Sequence, residues 1–315
     1  MRETSNYLVA LAIAGTVILW ASAYVGIRAA LADYSPFHLA LLRFLVASLF
    51  LAFFAAAGRV RRPALKDLPR IIASGLFGIG IYHLALNYGA QTVSAGSMSF
   101  IIGTAPIITA FLSLAFLGEK VNRIGWAGML FSFGGVNLIA FGEGGTLKFE
   151  IGAMYVFAAA VCTSIYFVIQ KPLLARYGSF EVASYSIWVG TAVMLPCFPG
   201  LAEAIGSARI AATLTVIYLG VFPAALAYFF WSFVLARFPA SRSVSFLYLV
   251  PVAATLLAYL VLGELLSPLS IAGGCFSLAG VAILNRFGRI RAAGIAGEPA
   301  GQAGPPARGG KRHSG

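Results

Sequence analysis

Two pairs of side chains with four-residue spacing lie inside long apolar stretches and could bind a small molecule. His83 and Asn87 share one face of a predicted helix, and Trp20 and Tyr24 share one face of another. Polar groups are costly inside a bilayer and usually face a cavity or a partner helix, while aromatic rings stack on planar or apolar ligands. The pattern favours non-covalent recognition of a small-molecule substrate.

The same polar face recurs later in the chain, because a shift of 145 residues places His83 on Tyr228 and Asn87 on Ser232. The alternative for the polar side chains is hydrogen bonding between helices, and for the aromatic ones it is plain packing. We predict that eight side chains line one central cavity and bind the substrate: Trp20, Tyr24, His83, Asn87, Tyr166, Tyr228, Trp231 and Tyr248.

The sequence contains no constellation of residues that suits catalysis or metal binding. A membrane-embedded enzyme would need paired carboxylates, a metal cluster or a nucleophile with its base. Every Asp and Glu lies in a loop, in the tail or at a helix end, and the histidines His38, His83 and His313 are scattered. We therefore predict no catalytic residue, no metal and no cofactor. The cysteines are interpreted as small buried side chains: Cys162, Cys197 and Cys275.

The composition places these side chains in a helical membrane protein. Apolar residues make up 60% of the 315 residues, charged residues make up 10%, and the mean hydropathy is +0.90. The apolar runs are long enough to cross a bilayer as helices. The first run resembles a signal peptide, but it continues through residues 24–27 and is interpreted as a membrane helix. Ten spans are predicted: 8–30, 36–57, 70–89, 97–117, 124–141, 151–170, 181–199, 211–235, 243–262 and 268–287.

The positive charges predict the orientation of these helices. The net charge is +12, but the basic residues lie between apolar runs and in the tail, so binding to the lipid bilayer is favoured over nucleic acid. One side holds 18 of the 22 Lys and Arg residues, and the opposite side holds Lys148 and Arg209. Both termini are therefore predicted to be cytoplasmic: residues 1–7 and a disordered, Gly-, Ala- and Pro-rich tail, 288–315.

An internal repeat divides the chain into residues 8–142 and 149–287. A shift of 145 residues aligns 104–139 with 249–284, and 11 of these 36 positions are identical. They include Pro106 with Pro251 and an in-register Leu-Gly-Glu. Each repeat holds five predicted helices, and an odd number inverts the second copy in the membrane. Inverted repeats are typical of secondary transporters, in which two similar halves alternate around a central site.

The motifs resemble those of the EamA-type transporters of the drug/metabolite transporter superfamily. The fourth helix of each repeat ends in Pro-x(11)-Gly-Glu, and the first two helices carry Trp20-Ala-Ser-Ala-Tyr24 and the segment from Pro36 to Arg43. The resemblance implies export of small metabolites such as amino acids across the bacterial inner membrane by alternating access. Arg43 lies within helix 2, where a charge needs an ion-pair partner or faces an anion. Because the resemblance implies a structural role, Arg43 is left out of the binding set.

The sequence leaves the cargo, the energy source and the oligomeric state open. A lipid-linked-sugar flippase of the same superfamily is the alternative function, and a membrane-embedded enzyme is a weaker one. Monomer and homodimer remain equally open. Since His83 is the one titratable candidate at membrane depth, we predict transport down a substrate gradient, coupled at most weakly to protons through His83.

Overall fold

The computed structural model describes residues 2–58, 60–93, 98, 101–142, 151–257, 259–260 and 267–291. Within these ranges, nine helices of 18 or more residues are apolar enough to cross a membrane, and a shorter apolar helix has 13 residues. The chain is therefore a nearly all-helical, multi-pass membrane protein, as the composition predicts. The predicted span at 97–117 is described from Ala105 as a regular helix, and residues 97, 99 and 100 lie outside the described part.

We number the helices in chain order: α1 Arg2–Ala30, α2 Pro36–Ala57, α3 Leu65–Gly89, α4 Ala105–Leu117, α5 Arg123–Gly142, α6 Ile151–Leu174, α7 Ser179–Cys197, α8 Ile210–Arg237, α9 Ala240–Leu257 and α10 Pro268–Phe287. A short helix, Leu201–Ser207, precedes α8, and two-residue strands β1 (Lys120–Val121) and β2 (Ile290–Arg291) pair antiparallel.

Local sequence sets where several helices begin and end. Ser35 caps α2 by accepting a hydrogen bond from the His38 amide at 3.2 Å, and Pro36 occupies the first turn, where a missing N–H costs nothing. Gly118 ends α4 with φ +63°, a left-handed conformation that favours glycine. This turn carries the next residue, Glu119, back toward the bundle.

Two helices change to π geometry at corresponding places in the two repeats. α3 does so over Leu76–Ile81 and α8 over Gly220–Leu226. A π segment leaves backbone groups without their usual helical partners and frequently occurs at functional sites. In α8 these groups find partners on other helices, since the Leu219 carbonyl accepts from Arg43 Nε at 3.3 Å and the Pro223 carbonyl accepts from the Trp20 indole at 3.1 Å.

Helix packing follows the same correspondence between the halves. α1 packs against α8 beyond its π segment and against α9, and α6 packs against α3 beyond its π segment and against α4. Likewise α2 lies along the π segment of α8, and α7 lies along the π segment of α3. Each half of the chain therefore uses its first two helices to hold the third and fourth helices of the other half.

A face of small residues joins α5 to α10. Gly128 lies against Gly280, and Gly135 lies against Gly273, so the two helices run antiparallel. Between these contacts Ser132 Oγ donates to the Ser277 carbonyl at 3.1 Å, across a separation of 145 residues. Small side chains let the two backbones approach closely, as is common where helices associate in membranes.

Polar ties at the two ends of the bundle also come in related pairs. Arg209, just before α8, forms a two-oxygen ion pair with Asp33 in the α1–α2 loop, with a shortest separation of 2.7 Å. The hydrogen bonds from Arg209 hold the pKa of the Asp33 carboxyl below its usual range. Arg176 in the α6–α7 loop pairs with Asp67 at the start of α3, and Tyr177 donates to the same carboxylate at 2.6 Å. In one ion pair the acidic residue lies after the first helix of a repeat and the basic residue lies before the third helix of the other repeat. In the second ion pair these two positions carry the opposite charges.

The described chain extends past the end of α10 into the predicted tail. Ile290 and Arg291 pair with Val121 and Lys120, and the Arg289 amide donates to Asn122 Oδ1 at 3.0 Å. The tail is predicted to begin at residue 288, and residues 289–291 of it are bonded to the α4–α5 loop. Residues 292–315 lie outside the described part of the chain.

Replacing Gly135 by Ala should destabilise the protein, because the added Cβ would meet the Gly273 carbonyl oxygen at 2.5 Å. Gly134 is the matched control, since a Cβ there meets no described atom within 4 Å. We expect Gly135→Ala to lower the free energy of unfolding by about 1–3 kcal/mol, and Gly134→Ala to leave it unchanged or slightly higher. Unfolding of the purified protein measures both; equal midpoints would contradict the packing described.

Candidate substrate-binding cavity

A cavity of about 90 Å³ lies where helices of both halves meet. Its walls come from α1, α2, α3 and α4 of the first repeat and from α6, α8 and α9 of the second, with a side chain of α5. Most of the lining is apolar and aromatic, with a few polar groups, as is usual for small-molecule sites. Five of the eight predicted binding residues are in the wall: Trp20, Tyr24, His83, Tyr228 and Tyr248.

The centre of the cavity is marked by a contact between His83 and Tyr228. His83 Nε2 and the Tyr228 hydroxyl lie 2.9 Å apart, and both side chains are buried. The two residues are separated by 145 positions, so they occupy equivalent places in the two repeats. Phe44 packs on the imidazole with ring centroids 4.5 Å apart. His83 Nδ1 remains buried without a hydrogen-bond partner among the described residues.

Aromatic rings form one wall of the cavity. Trp20 meets Tyr228 edge-on with ring centroids 5.4 Å apart, and its indole is fixed by the bond to the Pro223 carbonyl at 3.1 Å. Tyr248 is only 1% exposed, and its hydroxyl has no partner within the described chain. Rings held in this way present rigid apolar faces at low entropic cost, and the Tyr248 hydroxyl is free to bond a ligand.

The other three predicted residues lie behind the wall. Asn87 is fully buried one turn beyond His83, where its Nδ2 donates to the Pro36 carbonyl at 3.2 Å and ties α3 to α2. Tyr166 lies over Gly78 in the π segment of α3 and accepts from Gln170 at 2.9 Å. Trp231 packs on Trp20 with centroids 5.6 Å apart, so it supports the wall from outside.

Arg43 lines the cavity, although its predicted role was structural. The side chain is 2% exposed, and Nε donates to the Leu219 carbonyl at 3.3 Å. Nη1 is buried and finds no partner in the described structure. A charge two turns inside a predicted helix, with no acidic residue in mid-helix anywhere, was the signal in the sequence.

Sequence reasoning also missed wall residues that carry no spacing pattern. Thr163 and Phe167 reach the cavity from α6, and Tyr82 reaches it from α3. The repeated prolines, Pro106 and Pro251, both line it as well. Regular α-helix begins just before Pro106 in α4, and a 3₁₀ turn precedes Pro251 in α9, so backbone irregularity adjoins the cavity in both repeats.

Among the described residues, the wall offers no metal site and no carboxylate. The described residues that line the cavity include neither Asp nor Glu. Over the described chain, no three His, Cys, Asp or Glu residues come close enough together to hold a metal ion. The chemistry available is therefore one guanidinium, one imidazole, tyrosine hydroxyls and aromatic faces, which suits reversible binding.

The model of the EamA-like transporter family matches the chain twice, over residues 7–141 and 150–286. The chain belongs to the EamA-like transporter family. The two matches coincide with the two repeats, and together they cover every element that contributes to the cavity. The predicted resemblance is confirmed, and this family consists of transporters, which favours a protein that is not an enzyme.

Curated relatives of this EamA-like transporter match it over nearly their whole length. A Bacillus subtilis (strain 168) protein, described as uncharacterized transporter YdfC, is 42% identical over 86% of this chain and 90% of its own. A protein of Streptantibioticus cattleyicolor, described as a probable terminal-alkyne amino-acid exporter, is 40% identical over 90% of this chain and 95% of its own.

A solved crystal structure has the same fold as this EamA-like transporter. The two chains superpose with a TM-score of 0.70 at 21% sequence identity, over 87% of this chain and 95% of the other. At this identity the similarity extends to the fold alone.

Replacing His83 by Ala should reduce transport more than it reduces stability. The change removes the nearer partner of the Tyr228 hydroxyl and the unpaired Nδ1 from the wall, and we expect flux to fall about tenfold, the effect of one or two buried hydrogen bonds. His38→Ala is the control, because His38 contacts the Pro199 carbonyl at 3.0 Å away from the cavity. Flux per folded protein in proteoliposomes is the measurement, and similar losses in both variants would refute a binding role.

Proposed function

We propose that this EamA-like transporter is a secondary transporter that exports small metabolites such as amino acids across the bacterial inner membrane by alternating access. The observation that carries the proposal is the contact between His83 and Tyr228 inside the cavity. Two repeat-related residues meet where both halves enclose a ligand-sized space, which is the arrangement expected of a transporter with two similar halves.

We propose ten membrane spans arranged as two inverted five-helix repeats, 8–142 and 149–287. The antiparallel contact of α5 with α10 supports this arrangement, since equivalent helices of inverted repeats meet in opposite senses. The ion pairs of Asp33 and Asp67 support it too. Asp33 precedes α2 and Asp67 follows it, so the two related ion pairs lie at opposite ends of the bundle. The excess of positive charge then puts both termini in the cytoplasm.

Alternating access requires that contacts close one end of the cavity at a time. Glu119 is buried at the end of the bundle that carries Lys120, and it accepts hydrogen bonds from the Ala240 amide at 2.6 Å, the Ser241 amide at 2.9 Å and the Ser241 hydroxyl. These bonds join α4 to the start of α9, one helix from each repeat. We propose that they close the cytoplasmic end in this conformation. The repeat counterpart, Glu264, lies outside the described residues.

The cavity favours a small substrate. Its volume is about 90 Å³, and a lipid-linked sugar would need a far larger opening. The relative from Streptantibioticus cattleyicolor carries an amino-acid exporter's description, and this supports amino acids as the cargo class. We propose that the five wall residues predicted from sequence contact the substrate, while Asn87, Tyr166 and Trp231 position them from behind.

Transport of labelled metabolites in proteoliposomes tests the function directly. The panel consists of amino acids, including L-propargylglycine, together with sugars and polyamines. We expect downhill flux of at least one amino acid and no accumulation under an imposed pH gradient alone, because no acidic residue is found in the described part of the cavity wall. Liposomes without protein are the control. Absence of flux for every compound would overturn the transporter proposal, and accumulation that survives His83→Ala would overturn the proposed energy source.

Accessibility of single cysteines tests the inverted topology. Lys120→Cys and Glu264→Cys, each in a background without the three native cysteines, occupy equivalent loops of the two repeats. We expect a membrane-impermeant thiol reagent to label Lys120→Cys from the cytoplasmic side and Glu264→Cys from the opposite side. Labelling of both from one side would contradict the inverted repeat.

A further inference from the structure

We propose that Arg43 is the recognition group for a substrate carboxylate, and that this transporter selects monocarboxylates with a compact apolar side chain, amino acids among them. The inference rests on the proposed transport function and names the chemical group that the cavity recognises. It goes beyond the predicted binding set, which contains no fixed charge.

The first support is the state of the guanidinium. Arg43 is 2% exposed and lies in the cavity wall, and its Nη1 is buried without a partner among the described residues. The three ion pairs in the described chain involve other arginines: Arg61, Arg176 and Arg209. Breaking a buried ion pair costs several kcal/mol because an uncompensated charge remains, so a buried unpaired arginine beside a cavity calls for an anion.

A purely structural role accounts for only part of this side chain. Nε donates to the Leu219 carbonyl at the start of the π segment of α8, which explains why the guanidinium is held in place. Phe44 lies beneath it with the ring centroid 5.4 Å from Cζ. These contacts orient the group and leave Nη1 without a partner, and a planar guanidinium can donate two parallel bonds to a carboxylate.

Other unsatisfied groups in the same wall suit a carboxylate. The Tyr248 hydroxyl and His83 Nδ1 are buried, line the cavity and find no partner in the described residues. Each can donate a hydrogen bond to an anionic oxygen. One guanidinium balances one negative charge, so a monocarboxylate is favoured over a phosphate, which carries up to two charges and three strong acceptor oxygens.

The wall recognises the ammonium group of an amino acid much less well. No Asp or Glu is among the described residues that line the cavity, so a substrate ammonium would meet neutral hydroxyl groups and aromatic faces, such as those of Trp20 and Tyr24, and no opposite charge. We therefore expect that the carboxylate is required for binding and the amino group is not. Arg43 is the one Arg or Lys among the described residues that line the cavity. The single cation fixes one orientation for the substrate.

Analogue binding to the wild-type protein in nanodiscs is the primary test. Three families of probes are compared by thermal stabilisation and by competition for transport: L-propargylglycine, L-leucine and L-phenylalanine, each with its amide and its desamino acid. We expect that at least one acid and its desamino analogue bind about 10- to 100-fold more tightly than the amide, the effect of a lost charge-assisted bond. Equal binding of acids and amides, or binding by none of the acids, would overturn the proposal.

Variants of Arg43 complete the test. Arg43→Gln should reduce binding of the acid to that of its amide, and Arg43→Lys should give an intermediate affinity, because the charge remains but the two-bond geometry is lost. Arg28→Gln is the matched control, since Arg28 is exposed on α1 and lies outside the cavity wall. If Arg43→Gln does not fold, the comparison of acids with amides in the wild-type protein still decides.

The outcome also separates this inference from the proposed transport function. Flux of a sugar or polyamine without competition by any carboxylate would leave transport intact and overturn carboxylate recognition. Unaltered selectivity for acids over amides in a folded Arg43→Gln protein would overturn the role of Arg43. Absence of flux for the whole panel would instead count against transport itself.

Discussion

Polar groups buried in a bilayer must find their partners within the protein, and this constraint organises the whole molecule. Several departures from regular apolar helix bear on the site: two π segments, two repeated prolines, and the polar side chains His83 and Arg43. These departures adjoin or line a single cavity in the described structure, where backbone carbonyls freed by the π segment of α8 are bonded by Arg43 and Trp20. The irregular segments therefore form the site, and the polar groups that they leave unpaired are bonded by side chains of the same site.

The two halves are tied together by contacts between equivalent residues. His83 meets Tyr228 at the cavity, and Ser132 meets Ser277 between α5 and α10. Contacts of this kind arise where an approximate two-fold axis passes between the two copies of a repeat. A small rotation of the two halves relative to each other near that axis would open one end of the cavity and close the other. The buried bonds of Glu119 to the start of α9 belong to one end only, so under the proposed alternating access they would form and break as the halves move.

Most of the helical framework could be predicted from the sequence, because a bilayer demands apolar runs of fixed length. The repeat could be recognised because both copies keep a proline inside the fourth helix and a Leu-Gly-Glu at its end. Few other residues share the backbone properties of proline and glycine. The site was predicted less completely, since a four-residue spacing gives the face of a helix but not the depth of each turn. Asn87 shares a face with His83, yet one turn along the helix brings it level with Pro36 instead of the cavity. The position of Arg43 in the cavity wall could not be predicted from the sequence, because it depends on how α2 packs against α8.

The most direct test of the central claim uses a cysteine placed inside the cavity. Thr163→Cys, in a background without the native cysteines, puts a thiol on the wall contributed by α6. The account predicts labelling by a membrane-impermeant reagent from either side of the membrane, and faster labelling from the cytoplasmic side when Glu119→Ala removes the bonds to α9. Labelling from one side only, unchanged by Glu119→Ala, would contradict alternating access to a single cavity.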